Sequence, residues 1–322
     1  MGGRFAMAID VGVTNVKAAL VDPRGQLTCI ISRPTPLASG AAGVSGALVE
    51  TCREVLQRGG LRTKDPVAVG CAVPGSVSPE DGVIVSSATP SWVGVDVRDP
   101  LTRSFERSVT VESEGNAATL GFCAFGPARG QDHLLGLVLG TGISCGYVHE
   151  GRLLRGAGHT ALEAGHLPLF TDGQVCSCGL RGCWEAHAGG GALRSILAAR
   201  RAAGDELPAL PEELADLAAA GDAQALGLWE SQGALLGLGI AALLNVLNPR
   251  SVILGGGFAS SWRFFKKALL RTARERALPR ASGAAILCSP NPGWATLLGA
   301  AVAAVRAQGP ADFFVDEVPS GT

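Results

Sequence analysis

The sequence has little that points to nucleic acid, a membrane or secretion. Its 27 basic and 28 acidic side chains nearly cancel. No basic run or tail is present, which argues against a nucleic-acid footprint. Met1-Gly2-Gly3-Arg4-Phe5-Ala6 lacks the apolar core of a signal peptide, and Ala6 misses the Ser/Thr of a myristoylation signal. No apolar run reaches the roughly 18–20 residues of a membrane span; the longest, near Ala234 to Leu244, is read as too short. The expectation is a cytoplasmic chain with no nucleic-acid or membrane partner. Aromatics are scarce too, at 5% with a single Tyr. A core built without large rings must come from closely packed small residues.

Small residues are abundant: 45 glycines, with 47% of all residues hydrophobic. At 322 residues the chain exceeds what one core usually holds, so two domains are expected. The nine cysteines are an odd number, and a disulfide framework suits so large a chain poorly. Cys29, Cys52, Cys71, Cys123, Cys145 and Cys288 stand singly, mostly among apolar residues, and read as reduced core thiols.

Taken in order, Phe5 to Asp10 is a short apolar strand ending in an acid. A turn over Val11, Gly12, Val13, Thr14, Asn15, Val16 and Lys17 follows, then a strand over Ala18 to Asp22. That is a hairpin, not the strand-turn-helix of a Walker or dinucleotide loop. Ala41 to Gly60 has the spacing of an amphipathic helix. Pro66 to Gly75 reads as a buried strand stopping at a Pro-Gly turn. Val109 to Glu114 reads as another, running into a helix start at Gly115-Asn116. Leu134 to Val148 then repeats the opening plan around Gly140-Thr141-Gly142, the signature of an internal duplication. Helices are predicted over 190–203, 212–220, 223–247 and 294–307, with a buried strand from Ser251 into Gly255-Gly256-Gly257. Beyond Gly309-Pro310 no periodicity remains, and the tail is expected to be loosely held.

Two features carry chemistry. The paired hairpins offer backbone N–H groups that can converge on an anion, with Thr hydroxyls as further donors. Asp10, at a strand end, is suited to hold a hydrated Mg²⁺ beside phosphates. Two ordinary hairpins and an incidental acid are the competing explanation; the duplication and the triple glycine at 255–257 favour a nucleotide cleft. The second feature is the run Glu163-Ala164-Gly165-His166 followed by Cys176-Ser177-Cys178-Gly179-Leu180-Arg181-Gly182-Cys183-Trp184-Glu185. His166, Cys176, Cys178 and Cys183 form a full tetrahedral complement for Zn²⁺, and four protein ligands leave no open position, so the zinc is expected to be structural. Glu114, Glu163 and Glu185 lie beside a strand end or the metal loop and are candidate hydroxyl-binding or proton-accepting acids. Glu112 reads as an acid on a solvated face. His159 and His187 read as structural.

These residues together resemble the ROK family (repressors, open reading frames, sugar kinases) of the actin-like ATPase fold, over nearly the whole chain from Ala6 to about Ala304. The resemblance implies an α/β, ribonuclease H-like architecture with duplicated mixed sheets. It implies lobes at 1–114 plus 296–311 and at 115–295, a tail at 312–322, and a homodimer. It implies ATP with Mg²⁺ at Asp10, Gly12, Thr14, Asn15, Lys17, Gly140, Thr141, Gly142, Gly255, Gly256 and Gly257. A sugar or sugar-like cyclitol would meet Gly75, Ser113, Glu163, His166 and Glu185, with His166 also on zinc. Repressor members carry a DNA-binding segment before the first strand; with that strand starting at Phe5, the kinase branch is expected. Three positions depart from the family. Ser113-Glu114 stands where the family has Asn-Asp, whose Asp is the general base. Glu114 can do that chemistry from one methylene further out, and Ser113 gives up an amide. Val13 replaces a glycine, and its branched side chain resists positive φ and adds bulk near the phosphates. The expected activity is therefore ATP-dependent phosphorylation of a sugar or cyclitol hydroxyl with Glu114 as base. The alternative is a family member with lost or altered kinase activity that binds sugar or regulates.

Overall fold

The computed structural model describes residues 4–36, 40–78, 80–87 and 90–314. In chain order the elements are β1 (Ala6–Val11), β2 (Asn15–Val21), β3 (Leu27–Pro34), α1 (Gly40–Gly59), β4 (Val69–Val73), β5 (Ser76–Val77), β6 (Ile84–Ser86), α2 (Arg98–Phe105), β7 (Thr110–Ser113), α3 (Glu114–Phe125), β8 (His133–Leu139), β9 (Ile143–His149) and β10 (Arg152–Leu153). There follow α4 (Trp184–His187), α5 (Gly190–Ala202), α6 (Pro211–Ala219), α7 (Ala223–Leu247), β11 (Ser251–Gly255), α8 (Trp262–Arg276), β12 (Ala285–Cys288) and α9 (Ala295–Gln308). One five-stranded sheet has the order β3-β2-β1-β4-β7, the other β10-β9-β8-β11-β12. In the first, β1 and β2 pair antiparallel while β4 and β7 continue in parallel. In the second, β11 and β12 likewise extend in parallel from β8. The order repeats sheet for sheet, so the internal duplication is real at the level of topology, and the fold is mixed α/β as the sequence implied.

The chain forms two compact units. One comprises Met1–Asp132, Gly146–Leu162 and Trp294–Thr322, the other His133–Cys145 and Glu163–Gly293. Helix α3 thus belongs with the first sheet, whereas the sequence reading had opened the second lobe with it. Its partner is α9: an added Cβ at Gly299 would collide with the Ala117 carbonyl, and one at Gly121 with the Ala295 carbonyl.

Period-two alternation along β1 explains how the first sheet is covered. Met7, Ile9 and Val11 join Val44, Leu48, Val55 and Leu101 in one core cluster. Ala6 and Ala8 face the opposite way and join Ala117, Leu297, Ala300 and Ala304. The alanine face lets α9 approach so closely that Gly70 of β4 sits against the Ala300 carbonyl. This is where the shortage of aromatics is compensated. Phe313 and Phe314 are also buried in that second cluster, and Arg4 forms a two-pronged ion pair with Asp312 at 3.0 and 3.2 Å. The chain just past Gly309-Pro310 is therefore held, not loose. The rest of the expected tail, residues 315–322, and the start at Met1-Gly2-Gly3 lie outside the described residues.

Helix α7 corrects the reading of the apolar run near Ala234 to Leu244. It is 25 residues long and passes, by length and composition alone, as long and apolar enough to cross a membrane. Half of its most apolar window is buried inside the fold. Gly233 and Gly237 abut the Phe265 and Leu269 carbonyls of α8, as in a core helix. The sequence pattern does not single out β3, α2, α8 or β12. Helix α8 is amphipathic and charged, burying only Phe265, Ala268, Leu269 and Ala273.

Candidate active site

In the first unit the turn between β1 and β2 closes through Gly12 N–H on the Asn15 carbonyl at 2.9 Å. It is tied to β3 by the Thr35 hydroxyl on the Gly12 carbonyl (2.6 Å) and the Thr35 N–H on the Thr14 carbonyl (2.9 Å). Thr14 is exposed and Asn15 half-buried. Val13 is not among the non-glycine residues with positive φ, which are Cys29, Glu106, Glu150, His159, Leu162 and Asn248 among the described residues. The strain expected from its branched side chain is absent, and the side chain is 37% exposed. Asp10 is buried, with Lys17 Nζ 3.7 Å from its Oδ2. Burial pushes the Asp10 carboxyl above its ordinary range, and the neighbouring Lys17 only partly offsets this. A carboxylate so short of compensation fits a divalent cation.

The same unit holds the corner between β7 and α3. Glu114 is the first residue of α3, half-buried. Ser113 caps the helix, its hydroxyl accepting the Asn116 N–H at 3.4 Å. Gly75 has φ 84°, and the Ser86 carbonyl leaves no room for a Cβ there. Glu112 does not lie on a solvated face. It is 7% exposed. Its Oε2 accepts from Arg155 Nη2 at 2.6 Å and Nε at 3.2 Å, and its Oε1 from Asn116 Nδ2 at 3.0 Å and the Ser113 N–H at 3.3 Å. Alternation along β7 puts Glu112 on the Thr110 face, opposite Val109 and Val111, so the strand pattern itself carries no signal of its burial.

In the second unit the glycine turn between β8 and β9 closes through the Gly140 N–H on the Gly142 carbonyl at 3.1 Å. The start of α5 holds it from behind: the Gly190 N–H reaches the Gly140 carbonyl (2.9 Å) and the Gly191 N–H the Thr141 carbonyl (2.8 Å). Thr141 is exposed. Glu185 accepts the Ile143 N–H on Oε2 at 3.1 Å, and Gly142 leaves only 2.5 Å between a hypothetical Cβ and that oxygen. Gly255 ends β11. Gly256, at φ 86°, packs on the Leu139 carbonyl, and Gly257 opens a 3₁₀ turn with clear space around it.

The four metal-ligand candidates converge in this unit. The ligand atoms of His166, Cys176, Cys178 and Cys183 all lie within 4.8 Å of one another. Cys178 Sγ and Cys183 Sγ are 3.7 Å apart, as are Cys176 Sγ and His166 Nδ1. A tetrahedron with Zn–S bonds of about 2.3 Å has edges of about 3.8 Å, so the set fits zinc with adjustments of no more than about 1 Å. Gly179 (φ 87°) and Gly182 (φ 78°) make the turns that bring the thiols round. Burial and the adjacent Cys178 push the Cys183 thiol up to about 12, and burial raises Cys176 as well. Crowded thiols hold their protons unless a cation is present to stabilise the thiolates. Around the cluster, Glu185 Oε1 lies 3.4 Å from Cys176 Sγ and 3.8 Å from His166 Nδ1. Exposed Glu163 precedes the 3₁₀ turn that carries His166. His187 accepts the Gln174 N–H at 3.0 Å and packs on Phe170 at 4.1 Å between ring centroids, so its role is structural, as expected. Trp184 is buried and donates to the Leu235 carbonyl at 3.0 Å, which fixes α4 and with it Glu185.

The chain is 31% identical to a glucokinase of Thermotoga maritima over 307 residues, 92% of this chain and 95% of that one. It is 27% identical to a xylose repressor of Bacillus spizizenii, over 86% of this chain and 70% of the repressor. Among solved structures, a ROK family glucokinase from Streptomyces griseus in complex with glucose and AMPPNP superposes with a TM-score of 0.85 at 26% identity, covering 94% of this chain and 99% of that one. The fold is thus the actin-like ATPase fold of the ROK sugar kinases. The ROK family model matches residues 6–306, the span that includes both glycine turns and the cysteine loop, and the chain belongs to the ROK family.

Proposed function

We propose that the protein is an ATP- and Mg²⁺-dependent kinase acting on a hydroxyl of a sugar or sugar-like cyclitol. One observation carries this reading: Glu185 hydrogen-bonds the glycine turn at Ile143 and touches the Cys₃His cluster at Cys176. A phosphate turn and hydroxyl-binding acids are thereby built as one assembly. The glucokinase relatives support the reaction class. In the second unit the sugar-binding candidates are Glu163, His166 and Glu185; in the first they are Gly75 and Ser113. Phosphate-binding candidates are the N–H groups of Gly12, Thr14 and Asn15 in the first unit and those of Gly140, Thr141 and Gly142 in the second, where Gly255, Gly256 and Gly257 would give the nucleoside room. Mg²⁺ at Asp10, near Lys17, would supply charge neutralisation on the phosphates. His166, Cys176, Cys178 and Cys183 would hold zinc, whose contribution is to fix the loop.

In the reaction, Glu114 accepts the proton of the attacking hydroxyl. That oxygen bonds to the γ-phosphorus as the bond from phosphorus to the β–γ bridging oxygen breaks, and ADP leaves with the electron pair. The nine unpaired thiols fit a reducing, cytoplasmic compartment, and the family resemblance supports a homodimer, which light scattering would test. The decisive experiment incubates purified protein with Mg·ATP and a panel of hexoses, N-acetylhexosamines and cyclitols. Phosphorylation of at least one is expected, and none would end this reading. The similarity to a xylose repressor and the Ser113-Glu114 pair favour a second reading, a sugar-binding regulator without turnover. Calorimetry separates the two: a regulator takes up sugar while ATP stays intact.

A further inference from the structure

The Arg155–Glu112 pair lies outside every ligand contact described above, yet it is built into the corner that carries Glu114. All its members belong to the first unit. Glu112 is the penultimate residue of β7, and Glu114 opens α3 two residues later. The Glu112 carboxylate is used completely. The Arg155 fork occupies Oε2, while the Ser113 N–H and the Asn116 amide occupy Oε1. These two donors bracket Glu114 in sequence. On the other side of the turn, Gly146 leaves no space beyond the Gly115 carbonyl and the Thr119 hydroxyl, and that hydroxyl donates to the Gly115 carbonyl at 2.7 Å. The first turn of α3 is therefore fixed from the Glu112 side and the Gly146 side at once.

We propose that Arg155 and Glu112 are positioning residues that set where the Glu114 carboxylate sits. A buried carboxylate left without its cation would draw the Ser113 and Asn116 donors toward itself or turn toward solvent. Either response moves the helix start. Glu114 already reaches one methylene beyond an aspartate, so its placement depends more on the backbone frame. The catalytic consequence rests on the kinase reading above; the ordering of the corner does not.

The test uses the full chain with Arg155→Met, Arg155→Lys and the double variant Glu112→Gln with Arg155→Met. In Arg155→Met, kcat is expected to fall about 100-fold, the scale for a displacement near 1 Å, with sugar KM changed far less, since of the sugar-binding candidates only Ser113 moves with the corner. Millimolar guanidinium should restore part of that kcat, because the Arg155 side chain is 38% exposed and its site is reachable. Lysine should not, since an ammonium cannot reproduce the Nε–Nη2 fork. The double variant removes the buried charge together with its partner. It should regain the thermal stability lost in Arg155→Met but not kcat. Recovery of kcat along with stability, or an unchanged kcat in Arg155→Met, would overturn the inference in favour of a purely structural pair. Hydrogen exchange gives a readout free of activity: amides of residues 113–116 should exchange faster in Arg155→Met while the rest of the first unit is unchanged, and unchanged exchange there overturns the positional claim. A wild-type protein that phosphorylates nothing sinks the kinase reading instead, and the exchange data still decide the positional one.

Discussion

Glu185 and Ile143 are joined by a hydrogen bond of 3.1 Å from the Ile143 N–H to Oε2. The other oxygen of the same carboxylate lies 3.4 Å from Cys176 Sγ and 3.5 Å from the Ser177 hydroxyl. Ile143 directly follows Gly142, so a single side chain ties the glycine turn to the cysteine loop. Anything that loosens the loop should therefore be felt at the turn.

Metal removal tests this. Elemental analysis is expected to find about one zinc per chain, consistent with a complete four-ligand set. Stripping it with a chelator should lower the melting temperature and weaken binding of a non-hydrolysable ATP analogue several-fold, read by calorimetry. A metal-free protein that binds the analogue as tightly as the native one would show that Glu185 holds the turn unaided.

In the proposed kinase reaction Glu114 would be the general base. Glu114→Gln should lower kcat by about 10²–10⁴, the usual contribution of a general base, while sugar binding by calorimetry stays near wild type. Glu114→Asp is the finer probe. Increased hexose phosphorylation would mean the longer side chain displaces the ordinary geometry. Loss of all activity would mean that Glu114 is matched to a different acceptor. Wild-type kcat in Glu114→Gln would remove it from the mechanism.

A packing prediction follows from α9. The Gly299 position has the Ala117 carbonyl where a Cβ would stand, and backbone cannot yield as a side-chain tip can. Gly299→Ala should destabilise the protein by roughly 1–3 kcal/mol, measured as a fall in denaturant midpoint. Gly257→Ala, with nothing within 4 Å of the added atom, is the control and should leave the midpoint in place. Equal effects would contradict the close α3–α9 packing.

What was legible in the sequence is what local pattern determines. The two hairpins, the long helices and the duplication follow from apolar period and glycine placement. The Cys₃His cluster follows from spacing, because a loop this short must bring its thiols together whatever surrounds it. What was not legible depends on partners distant in sequence. Glu112 looks like any strand acid until Arg155, 43 residues later, is folded against it. Helix α8 shows a narrow apolar stripe among seven charged residues, and its apolar partner α7 is needed to recognise it. The bounds of α7 are those predicted, 223–247, but its apolar run reads as too short for a span because Glu230 and Gln232 interrupt the apolar letters, although Gln232 is itself buried, accepting the Gly189 N–H at 3.2 Å. Val13 was expected to strain the first turn because the family has glycine there, but the turn closes without a positive φ at that position.

Asp10 gives the pH-dependent prediction. Burial raises its carboxyl above the ordinary range in the folded state, with Lys17 opposing. Between the ordinary and the raised pKa the folded protein therefore binds more protons than the unfolded chain, so stability falls as pH rises through that window. Above the raised pKa the penalty of a buried, ionised Asp10 is complete; below the ordinary one it is absent. Asp10→Asn removes the ionisable group, so at neutral pH the metal-free variant should melt higher than wild type, and the difference should vanish toward acid pH. The same substitution should abolish Mg²⁺-dependent turnover, since the amide cannot offer the charge that a divalent cation needs. A variant less stable than wild type at neutral pH would mean that the Lys17 ion pair outweighs desolvation. Unchanged Mg²⁺ dependence would move the cation away from Asp10.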